Sequence, residues 1–235
     1  ERLEIESKVP IDATGIGDVA YLAGAACLVG RKWDGVLHNY SLAPRYVDEN
    51  NKLDFRSFDS GWVDATDVQD VSRAYRAGRK LVWQGTENPE NTHFIAIGPL
   101  LGVREGRTII GEHMLQLEHF LFGQRFDDVV MRSYSHYDSH PYDYANESET
   151  SQIYVAVLGL RHLRLSGNVP YRSFLPKGIE GILLGSRSIS QDHDCSMGLR
   201  MQRDIHKIGE VAGIAAALSI QKGMSPRQLH VPDLQ

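Results

Sequence analysis

The sequence has 235 residues, 42% of them hydrophobic and 23% charged, the make-up of a globular protein with enough chain for one or two cored domains. Its net charge of -5 excludes the basic footprint of a nucleic-acid binder, and no apolar run reaches the roughly 18 residues that cross a bilayer. Cys27 and Cys195 are too few for a four-cysteine iron–sulfur site, and two reduced thiols are expected rather than a disulfide. The expected partner is therefore a small molecule, with no nucleic acid and no membrane. Localisation is not read from the sequence: the options are cytoplasmic, or exported should a signal precede Glu1.

Leu3 to Ile11 carries mostly apolar residues at alternate positions and predicts a strand. Asp12-Ala13-Thr14-Gly15-Ile16-Gly17-Asp18 follows, then an apolar, small-residue helix over Val19 to Leu28. Strand, glycine turn and helix make half of a dinucleotide-binding unit, although a lone G-x-G is a weak signal because many turns need glycine. From Val29 to Arg56, Trp33, Tyr40, Tyr46 and Phe55 alternate with turn residues, which suits short strands or loops. Asp64-Ala65-Thr66 offers helix caps, and a helix is predicted from Asp67 to Gln84 on an apolar face of Val68, Val71, Tyr75 and Leu81. Thr86 to Asn91 is a loop and Thr92 to Gly98 a strand.

Arg104, Glu105 and Arg107 then cluster at a glycine turn. Two arginines there suit bidentate capture of a substrate carboxylate; a salt bridge from Glu105 to an arginine is the equally weighted structural reading. A helix is predicted from Met114 to Phe122, ended by Gly123. Ser133 to Tyr144 interleaves His136, Asp138, His140 and Asp143 with four tyrosines. Three readings compete: His140 as an acid/base group, a polar surface loop, and, last, His136, Asp138 and His140 as metal ligands without a partner cluster. No metal is therefore expected. Ser148 to Ser151 reads as a linker and Ile153 to Leu165 as a strand.

Pro176-Lys177-Gly178 opens a short apolar run, Ile179 to Leu184, which Gly185 closes as a buried strand. A dense polar loop follows, with Arg187, Ser188, Ser190, Asp192, His193, Asp194, Cys195 and Arg200. Gly209, Ala212, Gly213 and Ala215 to Ala217 then line a helix that Lys222-Gly223 ends, and Ser225-Pro226 starts a turn. Strand, polar loop and helix is the arrangement that puts ligands at the carboxyl end of a strand.

Four segments in this order, DATGIGD, GVREGR with IIGE, SYSHYDSHPYDY, and YRSFLPKGIEGILLGSRSIS with IGEVAGIAAALSI, resemble the FAD-dependent oxidoreductases related to the glutathione-reductase superfamily. The resemblance implies a mixed α/β (α+β) fold: an incomplete Rossmann-like FAD-binding domain from residues 1–30 and 166–224, an inserted substrate or cap domain over 31–165, and a tail at 225–235. It implies cofactor contacts from Thr14, Gly15, Gly17, Asp18, Gly185, Arg187 and Gly209. It implies hydride transfer between a small organic substrate and flavin N5, with His140, His193, Arg200 and Arg104 as the catalytic set. Arg200 would supply a fixed positive charge near the flavin N1–O2 edge.

Two departures stand out. Ile16 occupies a position where the family usually has Asp, and Ser188 one where some relatives have Cys. The family's first motif, G-x-G-x-x-G after a strand, is missing from this sequence. An upstream amino-terminal FAD-binding portion is thus the expected partner, and the chain alone is expected to bind FAD weakly or not at all. The alternatives are a carbohydrate-active lyase, since some relatives carry a xanthan-lyase label, and a catalytically silent fragment.

Overall fold

Regular structure begins where a strand finds a partner. In the computed structural model, which describes residues 3–32, 34–64, 67–84, 86–140, 152–153, 156–157 and 165–235, β1 (Ile11–Asp12) pairs in parallel with β11 (Leu183–Leu184). The strand expected from Leu3 onward is confined to these two residues. Its partner is equally short, because Gly178 (φ 74°) and Gly181 (φ 80°) bend the chain ahead of Leu183. The run expected as a strand from Ile179 is trimmed for the same reason. The described chain is a mixed α/β protein whose named sheets are small, and among the described strands β1 and β11 are the parallel pair.

Two compact units divide the chain. Glu1–Val36, Glu105–Ser139 and Glu147–Gln235 form the first, and Leu37–Arg104 with His140–Asn146 the second. These limits differ from the sequence boundaries at residues 30 and 166, and Glu105–Ser139 groups with the first unit.

In the first unit, α1 (Asp18–Leu22) ends early. Gly24 takes a positive φ of 95°, and the next residues leave the helix for β2 (Cys27–Val29), which pairs antiparallel with β8 (Arg107–Ile109). The helix predicted to Leu28 is thus overridden by strand pairing. Further on, α3 (Leu117–Leu121) is a shortened form of the predicted helix, because Leu115 bridges to Gln191 instead; Gly123 (φ 62°) follows it as expected. β9 (Val129–Arg132) pairs antiparallel with β10 (Asn168–Pro170). The polar loop contains a helix of its own, α4 (His193–Leu199), capped by the Asp192 carboxylate on the Cys195 N–H at 2.7 Å. α5 (Gln202–Lys222) closes the unit and ends in Gly223 at φ 63°. It buries Asp204, Ile208, Val211, Ala212, Ala215 and Ser219, one stripe at helical spacing. Downstream, Arg227 binds Glu112 at 2.5 Å, Glu180, and the Pro176 and Ile179 carbonyls, which fastens the tail to the turn before β11.

The second unit holds β3 (Tyr40–Leu42) against β6 (Phe58–Gly61), and β4 (Arg45–Val47) between β5 (Leu53–Phe55) and β7 (His93–Ala96), all antiparallel. α2 (Val68–Gln84) starts at Asp67, whose carboxylate accepts from the Gln69 N–H at 2.8 Å. Tyr40, Leu42, Val63 and Ala74 form its core, with Val71 and Tyr75 packed against them. Ala65, Thr66, Asp143 with its neighbouring tyrosines, the 148–151 linker and most of the 153–165 run lie outside the described residues.

The turn after β1 depends on Asp12, which is fully buried. Its Oδ1 accepts from the Thr14 N–H (2.9 Å) and hydroxyl (2.5 Å), and its Oδ2 from the Ala20 N–H (2.8 Å). The Thr14 hydroxyl oxygen in turn accepts from the Asp18 N–H at 2.7 Å. Gly17, at the cap position, has no side chain to offer, so Asp12 and Thr14 satisfy first-turn donors of α1 that would otherwise be orphaned. We expect Asp12→Ala to lower unfolding free energy by about 3 kcal/mol, since it removes a buried acceptor of three hydrogen bonds; urea unfolding of the variant against wild type checks this.

Candidate functional site

Most residues expected to meet a cofactor gather around that turn. Ser186, just past β11, donates its hydroxyl to the Thr14 carbonyl at 2.6 Å, and its Oγ lies 2.9 Å from that of Ser188. The end of one strand is thereby tied to the turn after its neighbour. Arg187 lies over Gly15: a Cβ built on Gly15 would come within 2.8 Å of the guanidinium. A side chain at this position would push the guanidinium aside. At Gly17, φ is 67° and a Cβ would meet Ile109 at 2.7 Å, so that glycine serves both the turn and the packing. Gly185 sits under α5, its carbonyl 3.9 Å from the Cβ position of Gly209. Thr14, Gly15, Gly17, Gly185, Arg187 and Gly209 are thus parts of one locality.

Arg187 is chemically distinct within it. Its Nε is buried with no hydrogen-bond partner, and among the described residues no carboxylate pairs with it. Burial pushes its pKa down. Asp18, by contrast, is engaged by Arg107, which also donates to the Ile16 carbonyl at 3.2 Å. Asp18 and Arg107 fasten the turn to β8.

The other first-unit residues sit in ion pairs. His193 Nδ1 lies 2.8 Å from Glu105 Oε2, both side chains buried; with its proton on Nδ1 the imidazole donates to the carboxylate. Arg200 donates to the Asp138 carboxylate at 2.9 Å and to its carbonyl at 2.7 Å. The Arg200 charge is therefore matched within the protein. His136 Nε2 is 3.6 Å from the other Asp138 oxygen. Cys195 is fully buried and, like Cys27, a free thiol.

Arg104 and His140 belong to the second unit and meet at Asp59. His140 Nδ1 lies 2.7 Å from Asp59 Oδ2, and Arg104 donates to Asp59 Oδ1 at 2.8 Å. Arg104 also donates to Asn39, at 2.8 Å to the carbonyl and 2.6 Å to the side-chain oxygen. Burial pushes the Asp59 carboxyl up, but the His140 hydrogen bond and the Arg104 charge outweigh it and hold the pKa below the usual range. An imidazole oriented by a carboxylate is the arrangement of a general acid/base.

Sequence reasoning missed the acidic partners: Asp12, Asp59, Glu105 as the His193 partner, and Asp138 as the Arg200 partner. Asp12 carried a usable signal, because an aspartate two residues before a turn threonine or glycine favours an Asx-type turn. Asp59 carried none, being 81 residues from His140 in sequence.

A family model described as FAD dependent oxidoreductase matches residues 36–235. The chain therefore belongs to the FAD-dependent oxidoreductase family, an enzyme class whose cofactor is FAD. No curated protein matches the chain, and no solved structure does. The residues present fit such a cofactor in one testable respect: a half-buried guanidinium, its Nε buried without a hydrogen-bond partner, lies across Gly15, which suits an anionic or hydroxyl-rich group.

Asp192 makes a further check. Burial, helped by the nearby Asp194 and Glu118 charges, pushes its carboxyl from an ordinary 3.8 up to about 7, against the lowering effect of the Cys195 N–H. A carboxyl raised in the folded state binds its proton more tightly there than in the unfolded chain. The folded state thus loses stability as the pH rises from about 4 to about 7. We expect Asp192→Asn, which keeps the helix cap, to flatten that decline; melting temperatures of both proteins between pH 4 and 8 check it.

Proposed function

We propose that this chain carries flavin-contacting and catalytic residues of an FAD-dependent oxidoreductase acting on a small organic molecule, in the manner of the glutathione-reductase-like flavoproteins. When bound, FAD supplies a hydride acceptor or donor at flavin N5, the chemistry that protein side chains lack. The observation that carries this reading is the Arg187 guanidinium lying over Gly15, beside the Thr14–Ser186 link.

The roles follow from the geometry of each group. Arg187 holds an anionic or hydroxyl-bearing part of the cofactor, and Gly15 and Gly17 let that part approach the backbone. Thr14 and Asp18 keep the turn in shape through their hydrogen bonds, and Gly185 with Gly209 keeps α5 close to the strand end. His193 is held by Glu105 through its Nδ1, which fixes the ring's orientation. His140, oriented by Asp59, moves a proton to or from substrate, and Arg104 sets the charge of that pair. Arg200 positions Asp138.

Flavin absorbance between about 300 and 550 nm, recorded on the purified protein with and without added FAD, tests the reading. We expect this chain alone to bind FAD weakly or not at all; where binding is measurable, Arg187→Met weakens it about tenfold, the effect of removing one charge-assisted contact, and Gly15→Val weakens it by displacing the guanidinium. Bands that neither substitution alters would place the cofactor elsewhere, and no flavin binding in any form of the protein would overturn the oxidoreductase mechanism for these residues.

A further inference from the structure

Two histidines outside the proposed flavin site bracket one wall of a cavity in the first unit. The cavity holds about 510 Å³, and Met114, Gln116 and Glu118 line it together with the chain entering α4. His113 and His119 stand on either side of that stretch. Their rings stack at 5.2 Å, and Phe126 meets them edge-on, at 4.9 Å and 5.6 Å. The three rings thus close a length of chain that contains all of α3.

Each imidazole suits its neutral form. His119 Nδ1 accepts the Gln116 N–H at 3.1 Å, at the start of α3, and a protonated Nδ1 cannot accept. His113 Nε2 is buried with no hydrogen-bond partner. A charged imidazole carries a proton on both nitrogens, so charging His113 leaves a buried donor unmet. The Gln116 bond lies near the surface, where water can replace it, so His113 bears the larger cost. The charges around the pair do not relieve it. Arg172 adds a like charge, and Asp128, the carboxylate that acts on His113, is committed to Arg172 by three hydrogen bonds of 2.9 to 3.0 Å. Asp127 also acts on Arg172, Glu112 is bound by Arg227, and Glu118 alone favours the charged form of His119. Burial, then the neighbouring His119 and Arg172, holds His113 below the ordinary histidine range, and burial does the same for His119.

We propose that His113, His119 and Phe126 form a pH-sensitive latch: with both imidazoles neutral the rings hold α3 and its part of the cavity wall in place, and protonation releases them. Leu115 stays anchored, because its N–H and carbonyl are bonded to Ser190 and Asp192, so the freed stretch runs from Gln116 to Leu121 and carries Gln116 and Glu118 off the wall. A histidine held below its ordinary value of 6.5 contributes stability that is complete above that value and is lost as the pH falls through it. The latch therefore opens on acidification. Asp192 gains its proton over part of the same interval and acts in the opposite direction, so the informative quantity is the difference between wild type and variant at each pH. The latch works with or without flavin.

Hydrogen–deuterium exchange of the purified chain tests it, read at about pH 7.5 and about pH 5, on either side of the histidine range, and corrected for the intrinsic pH dependence of amide exchange. We expect protection of the α3 amides to fall about tenfold on acidification, with α5 little changed. His113→Phe keeps a ring against Phe126 but has no nitrogen to charge, and should hold the fall within about twofold. His119→Asn, whose side-chain oxygen accepts the Gln116 N–H at both pH values, should reduce the fall as well and serves if the first variant does not fold. Equal protection of α3 at the two pH values, a fall unchanged in both variants, or a fall shared equally by α5 overturns the proposal.

Discussion

Much of the first unit depends on a carboxylate that reaches no solvent. Asp12 accepts from Thr14 twice and from Ala20, and those contacts set three things together: the turn, the start of α1 and the direction in which Thr14 presents its carbonyl to Ser186. A charged side chain is seldom fully buried unless its oxygens are all engaged. Here the donors are backbone N–H groups that helix geometry would otherwise leave unmet. The energetic cost of burying the charge is thus converted into a defined backbone path. Gly17 completes that path because its left-handed φ and the closeness of Ile109 leave no room for a side chain.

Within each unit the charged residues singled out above follow one electrostatic rule, with one marked exception. His193 is held by Glu105, Arg200 by Asp138, Asp18 by Arg107, and Arg104 and His140 by Asp59. Such pairs add little net stability, since desolvation offsets the attraction, but they fix where a charge or a proton sits. Arg187 is the exception, a half-buried cation with no carboxylate partner among the described residues, its Nε buried. An arrangement that leaves one cation unmet while satisfying the others is informative, because native proteins rarely tolerate the cost without a use for the group.

The sequence revealed motifs better than boundaries. α2 was legible from Val71, Tyr75 and Leu81 at helical spacing, but its cap falls at Asp67, one residue past the expected Asp64-Ala65-Thr66, and Val68 is exposed. The end of α5 was legible from Gly223. Short strands were not, because a strand is defined by its partner. Leu3 to Ile11 alternates in pattern but has only two residues of β11 beside it. Cys27 and Leu28 looked helical in their small-residue surroundings, yet β8 pairs with them. α4 was hidden because Asp192, Asp194 and Ser196 read as loop residues, although Asp192 is a good helix cap. Residues carried by local motifs could be named from the sequence, whereas their acidic partners could not, since Asp59 and Glu105 meet their histidines across 81 and 88 positions.

The link from Ser186 to the Thr14 carbonyl joins residues 172 positions apart, and it bears on the order of events during synthesis. At about 5 to 20 residues per second, the turn after β1 waits roughly 10 to 35 s before its neighbouring strand end leaves the ribosome. Until then Ile11 and Asp12 have no β11 to pair with, and the carboxylate destined for full burial remains hydrated. Arg227 cannot fasten the turn before β11 until later still. The glycine turn, although written near the start of this sequence, is therefore among the last parts of the first unit to take its final form, and during that interval a holding chaperone would find its hydrophobic neighbours uncovered.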